Sequence, residues 1–112
     1  MSTISLDGLR MNAVETDPNG VIDSRTIFCF RQAGQDVHAE YSGGEVVRGY
    51  LVGILHENCL TFRYCQLEAG GKLNGGASEC EVRLNAQRKV QIVESFQWES
   101  RPGGGKNIIQ EL

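Results

Sequence analysis

The chain has 112 residues, 40% hydrophobic and 22% charged, with a net charge of −3. That describes one globular domain, 1–112, with no room for a second core. Its 14 glycines have no three-residue period, which excludes collagen, and no apolar run is long enough to cross a bilayer as a helix. Lysine and arginine are scattered rather than striped, so neither nucleic acid nor a membrane surface is expected as a partner.

The stretch from Met1 to Arg10 contains Asp7 and lacks a positive start followed by an apolar run, which argues against a secretory leader and for a cytoplasmic location. Asp17-Pro18-Asn19-Gly20 is a strong turn. Beyond it, turn signals recur about every ten to fifteen residues, at Ala33-Gly34, Gly43-Gly44, Glu57-Asn58, Gly70-Gly71, Asn85-Ala86 and Pro102-Gly103. They delimit strands over residues 26–32, 37–42, 46–55, 59–68, 72–84, 89–100 and 106–112. Within these runs the apolar residues alternate with a period of two. Phe28 and Phe30 share a face, as do Val37, Ala39 and Tyr41, then Leu60, Phe62, Tyr64 and Gln66, then Val90, Ile92, Glu94, Phe96 and Trp98. Asn74-Gly75-Gly76, inside a long strand, is expected to mark a bulge or a barrel corner.

No segment has a convincing helical period, so the sheet must bury its own apolar face. The expected fold is all-β: a small closed antiparallel up-and-down β-barrel of about eight strands. The strand from Val46 to Leu55 departs from simple alternation, with Val47, Leu51 and Leu55 on one face and Val46, Tyr50, Val52 and Ile54 on the other. Two apolar faces need cover outside the barrel, which predicts a homodimer or larger assembly through this strand. The alternative cover is the N-terminal segment, residues 4–14, folded over it.

Among residues able to carry chemistry, Glu94 stands out because it lies on the apolar face between Ile92 and Phe96. A carboxyl pointing into a barrel must be paired, hydrogen-bonded or protonated. Tyr64 and Gln66 are the expected donors to it, and Tyr41 and Trp98 the expected lining of the same space. Those five residues form the candidate ligand site. The plain structural alternative is a satisfied polar network that fills the barrel. Arg63 is expected outside, exposed or paired with Glu99 or Glu111, and His38 with Glu40 on an outer face. Cys29, Cys59, Cys65 and Cys80 form no Cys-x-x-Cys pair and His38 and His56 have no zinc-knuckle spacing, so no metal is expected and the cysteines read as reduced, mostly structural thiols. The run Arg101-Pro102-Gly103-Gly104-Gly105-Lys106 lacks both the glycine spacing and the following helix of a phosphate loop, and is a hairpin loop instead. No cofactor and no catalytic residue are assigned.

Tyr41-Ser42-Gly43-Gly44, Gly49-Tyr50-Leu51-Val52-Gly53, Phe62-Arg63-Tyr64-Cys65-Gln66, Glu94-Ser95-Phe96-Gln97-Trp98-Glu99-Ser100 and the ending Ile108-Ile109-Gln110-Glu111-Leu112 together resemble a family of short bacterial proteins commonly labelled "n-acetylglutamate synthase". The resemblance covers about Ile27 to Leu112. It implies an avidin-like or calycin-like β-barrel and carries over no established catalytic residue. An acetyl-CoA-dependent transferase holds pyrophosphate with an Arg/Gln-x-x-Gly-x-Gly/Ala turn that opens a helix. The nearest match here, Arg31 to Asp36, ends in a carboxylate and runs into an alternating strand.

Three functions follow from these residues. The preferred one is non-catalytic binding of a small polar or aromatic molecule in the barrel mouth. The second is a small enzyme using Glu94 as general acid or base with Tyr64 as its partner. The third is an oligomeric interaction or scaffold protein whose working surface is the Val46 to Ile54 face.

Overall fold

The structure, a computed structural model, describes residues 4–112, so residues 1–3 of the stretch read for a leader lie outside it. Eight strands follow in chain order: β1 (Arg10–Glu15), β2 (Ile27–Ala33), β3 (Asp36–Gly43), β4 (Val46–His56), β5 (Cys59–Glu68), β6 (Lys72–Leu84), β7 (Val90–Trp98) and β8 (Gly104–Glu111). Each pairs antiparallel with the next, and β1 pairs with β8 to close an up-and-down barrel. Alternation of side chains drives the closure. Residues such as Phe28, Phe30, Val37, Ala39, Leu60, Phe62 and Ile92 turn inward and are buried, while their neighbours turn out. Closure leaves no strand edge unpaired. The β4–β5 hairpin turns on Glu57 and Asn58, both with positive φ, the backbone twist that a two-residue hairpin loop requires.

The two ends of the barrel differ. At one end, Leu6 is fully buried against the core. It is held there by its amide donating to Gln32 Oε1 at 2.8 Å, while the Ile4 amide donates to Asn58 Oδ1 at 2.8 Å. This plug closes the apolar end formed around Phe30, Val37, Leu55 and Leu60. At the other end the interior becomes polar and aromatic, and the β1–β2 loop, residues 16–26, folds across the mouth.

The structure corrects several sequence expectations. Residues 4–14 do not cover β4: from Arg10 onward they supply a barrel stave between β2 and β8. The β4 faces also differ from simple alternation. A register shift between Val46 and Arg48 turns Val46 into the core and leaves Val47 outside with Tyr50, Val52 and Ile54. Gly75 and Gly76 form no bulge, since the β5–β6 register is continuous from Cys59 to Glu68. They are places of close approach instead: a Cβ on Gly76 would stand 2.7 Å from Tyr64 Oη. Of the four free cysteines only Cys80 is buried, whereas Cys29, Cys59 and Cys65 face outward. Arg63 meets Glu99 on the outer face, its Nη1 2.6 Å from Oε1, as one of the two expected pairings.

Candidate functional site

Glu94 lies near the middle of β7 with its side chain inward, and it is almost wholly buried. Two neighbours hold it. Ser78 Oγ on β6 donates to Glu94 Oε2 at 2.6 Å, and Asn107 Nδ2 on β8, directly opposite in register, donates to Glu94 Oε1 at 3.0 Å. Burial pushes the carboxyl above its usual range, against the pull of those two hydrogen bonds, which favour the carboxylate. No basic side chain compensates it. Among the described residues the ion pairs are Arg25–Asp23, His56–Glu57 and Arg63–Glu99, all on the surface.

Tyr41 and Gln66 form a second polar group on β3 and β5. Tyr41 Oη donates to Gln66 Oε1 at 2.7 Å, and Gln66 Nε2 donates to Glu68 Oε2 at 2.9 Å. The Tyr41 ring stacks on Phe28 at 4.6 Å and lies over Gly49 of β4, which faces it across the ladder and where any Cβ would strike the ring. Tyr64 packs edge-on to Trp98 at 5.6 Å and to Phe62 at 6.1 Å. Its hydroxyl is buried and has no hydrogen-bond partner among the described residues. Burial, reinforced by Glu94, pushes both tyrosines upward, so both remain phenols at neutral pH.

The β1–β2 loop forms the roof. The expected turn is present, with the Gly20 amide donating to Asp17 O at 2.9 Å and the Asn19 amide to Asp17 Oδ1 at 2.9 Å. The loop is tied to the barrel rim at several points. Trp98 Nε1 donates to Asn19 O at 2.8 Å, Asn19 Nδ2 donates to Gly104 O at 3.0 Å, and the Asp17 amide donates to Asn107 Oδ1 at 3.1 Å. Val21 and Ile22 turn inward against the core. Outside the mouth, Arg101 stacks on the Trp98 ring at 4.2 Å.

Beneath this roof lies a cavity of about 30 Å³. That is room for about two waters; anything larger needs the roof to move. Tyr41, Tyr64, Gln66, Glu94 and Trp98, the five residues singled out from the sequence, all line it. One expected contact is absent: Glu94 takes its hydrogen bonds from Ser78 and Asn107, while Gln66 is engaged by Tyr41 and Glu68. Sequence reading passed over Ser78 and Asn107. Both were open to the same period-two argument, because Ser78 is two residues from inward Cys80 and Asn107 two from inward Ile109.

A plugged barrel with a polar, aromatic pocket under a loop at its open end belongs to the class of small closed antiparallel β-barrels. Within that class the chain is a member of the avidin-like protein family, whose model matches residues 4–112. A search of curated proteins found no match. A search of solved structures found none either.

Proposed function

We propose that this protein binds a small polar or aromatic molecule in the mouth of its barrel and performs no chemistry on it. The buried Tyr64 hydroxyl carries this reading. Interiors of this kind leave few polar atoms unmet, and this one faces a cavity that also offers Glu94 and Trp98. Membership of the avidin-like family supports the coarser reading of a small-molecule-binding barrel. The enzymatic alternative has less support, since both Glu94 oxygens are engaged and burial pushes the nearby Cys80 thiol up, which leaves it a poor nucleophile. Native mass spectrometry of gently purified protein tests the proposal. A retained mass that disappears in Tyr64→Phe is the expected result. A clean apo mass, joined to unchanged Trp98 fluorescence across a fragment library, would count against it.

A separate observation favours self-association. Val47, Tyr50, Val52 and Ile54 of β4 are each more than half exposed, and they form an apolar stripe on the barrel wall. The proposed occupant is a second copy of this chain. A two-fold axis along β4 sets β3 of one copy over β5 of the other, so that Arg63 of one lies level with His38 of the other, between Asp36 and Glu40 two residues to either side. An axis across β4 would instead set the acidic β3 strand against itself.

A further inference from the structure

The pocket described above has a one-sided chemistry. Its wall carries a carboxyl group, two phenols, two primary amides and an indole, but no lysine, arginine or histidine. Glu94 has only neutral hydrogen-bond partners, and Glu68, the second buried carboxyl at this end, is likewise met only by the amides of Gln66 and Asn74. An anion placed here would find a carboxyl and the negative faces of aromatic rings. A cation would find a counter-charge, ring faces, and phenol oxygens with free lone pairs. The rim already behaves in this way, since the Arg101 guanidinium rests on the Trp98 ring.

We infer that the pocket selects a small organic amine in its ammonium form, with Glu94 as the counter-charge and Tyr64 Oη as an acceptor for one of its N–H groups. This rests on the small-molecule reading and narrows it to a ligand class. The cavity as it stands admits nothing longer than methylammonium, and ethylammonium enters only as the β1–β2 loop withdraws.

Binding has a proton balance. In the empty pocket burial favours the neutral form of Glu94, against the pull of its two hydrogen bonds. When R–NH₃⁺ enters, the carboxylate form pairs with the ammonium, and a Glu94 that was protonated breaks its O–H bond and passes the proton to solvent. The other titratable groups around Glu94 do not share this proton. Tyr41 on β3, Tyr64 on β5 and Cys80 on β6 are all pushed upward, chiefly by burial, and stay protonated. On β8 the neighbour is neutral Asn107, and on the loop Asp17 contributes its backbone amide. Glu68, Glu99 and Arg101 complete the charged groups at the mouth.

The test is an NMR titration of the full chain, read at the Trp98 indole, with ethylammonium chloride, its neutral analogue ethanol and the anion acetate. Ethylammonium is expected to saturate the signal, with affinity rising from about pH 4 through the range in which Glu94 ionises, by at most about tenfold per pH unit, as loss of one proton on binding sets. Glu94→Gln is expected to abolish that dependence and to weaken binding at the higher pH by about tenfold or more. If ethanol binds as tightly, or the ethylammonium affinity ignores pH, the amine assignment falls while the small-molecule pocket stands. If none of the three moves Trp98, the amine assignment falls as well, and the broader reading is judged by the native mass. The pH slope of the unaltered chain decides the matter even if Glu94→Gln fails to fold.

Discussion

Ser78 and Glu94 are diagonal neighbours across β6 and β7: the register sets Ser78 opposite Phe96 and Glu94 opposite Cys80, and Ser78 Oγ reaches Glu94 Oε2 at 2.6 Å. Without that hydroxyl, one oxygen of a buried carboxyl loses its partner. Ser78→Ala is therefore expected to cost about 1–3 kcal/mol, measured by urea unfolding. A variant as stable as the parent would mean that water replaces the hydroxyl at no cost.

The Glu94 carboxyl also predicts how stability varies with pH. Its folded pKa is raised, so between the unfolded and folded values the native state binds more protons than the unfolded one, and stability falls as pH rises through that window. The Glu94 contribution is fully present below the ordinary glutamate value of 4.5 and declines above it, with a slope limited to about 1.4 kcal/mol per pH unit. Glu94→Gln, which cannot ionise, should flatten this decline. Denaturation midpoints of both proteins across the window check it, and parallel curves would place the titrating group elsewhere.

Trp98→Phe keeps a ring at the mouth but removes the N–H that holds Asn19 O. A net loss of about 0.5–1.5 kcal/mol is expected, together with faster amide exchange at Gly20, Val21 and Ile22. Unchanged exchange there would show that Asn19 Nδ2 and the Asp17 amide suffice to hold the loop.

Gly49→Ala should disturb the site from the outside in. The added methyl meets the Tyr41 ring, whose displacement breaks the Tyr41–Gln66 hydrogen bond. Overpacking of this kind costs about 1–3 kcal/mol. The matching control is Gly70→Ala: nothing crowds that position, and the cost there comes from its positive φ alone.

Val52→Lys puts a charge at the centre of the exposed β4 stripe without touching the core. Sedimentation is expected to show a dimer for the parent and a monomer for the variant at the same concentration, with equal thermal stability of the fold at high dilution. A parent that sediments as a monomer at micromolar concentration removes the case for self-association through β4.

Much of this architecture is legible in the chain because a half-buried strand writes its burial every second residue. β5 is recovered from Cys59 to Glu68, and Tyr41, Tyr64, Gln66, Glu94 and Trp98 were grouped by that rule alone. Three things escaped it. β1 is short and shows only Met11 and Ala13 inward, too few positions for a period to declare itself. The register shift at Val46 exchanges the faces of Val46 and Val47, and nothing in two successive valines signals a slipped ladder. Ser78 and Asn107 are small polar residues on an inward face, where hydropathy alone reads them as surface.

Because Leu6 seals the opposite end, the barrel formed by the described residues is a vessel with a single opening. Under the proposed binding, a molecule held at Glu94 leaves by the path on which it arrived, past residues 16–26. The kinetics are thereby coupled: a change that lowers only the barrier at this loop speeds capture and release by the same factor and leaves the dissociation constant where it was. Under that proposal residence time is tuned at the rim without altering the pocket below it.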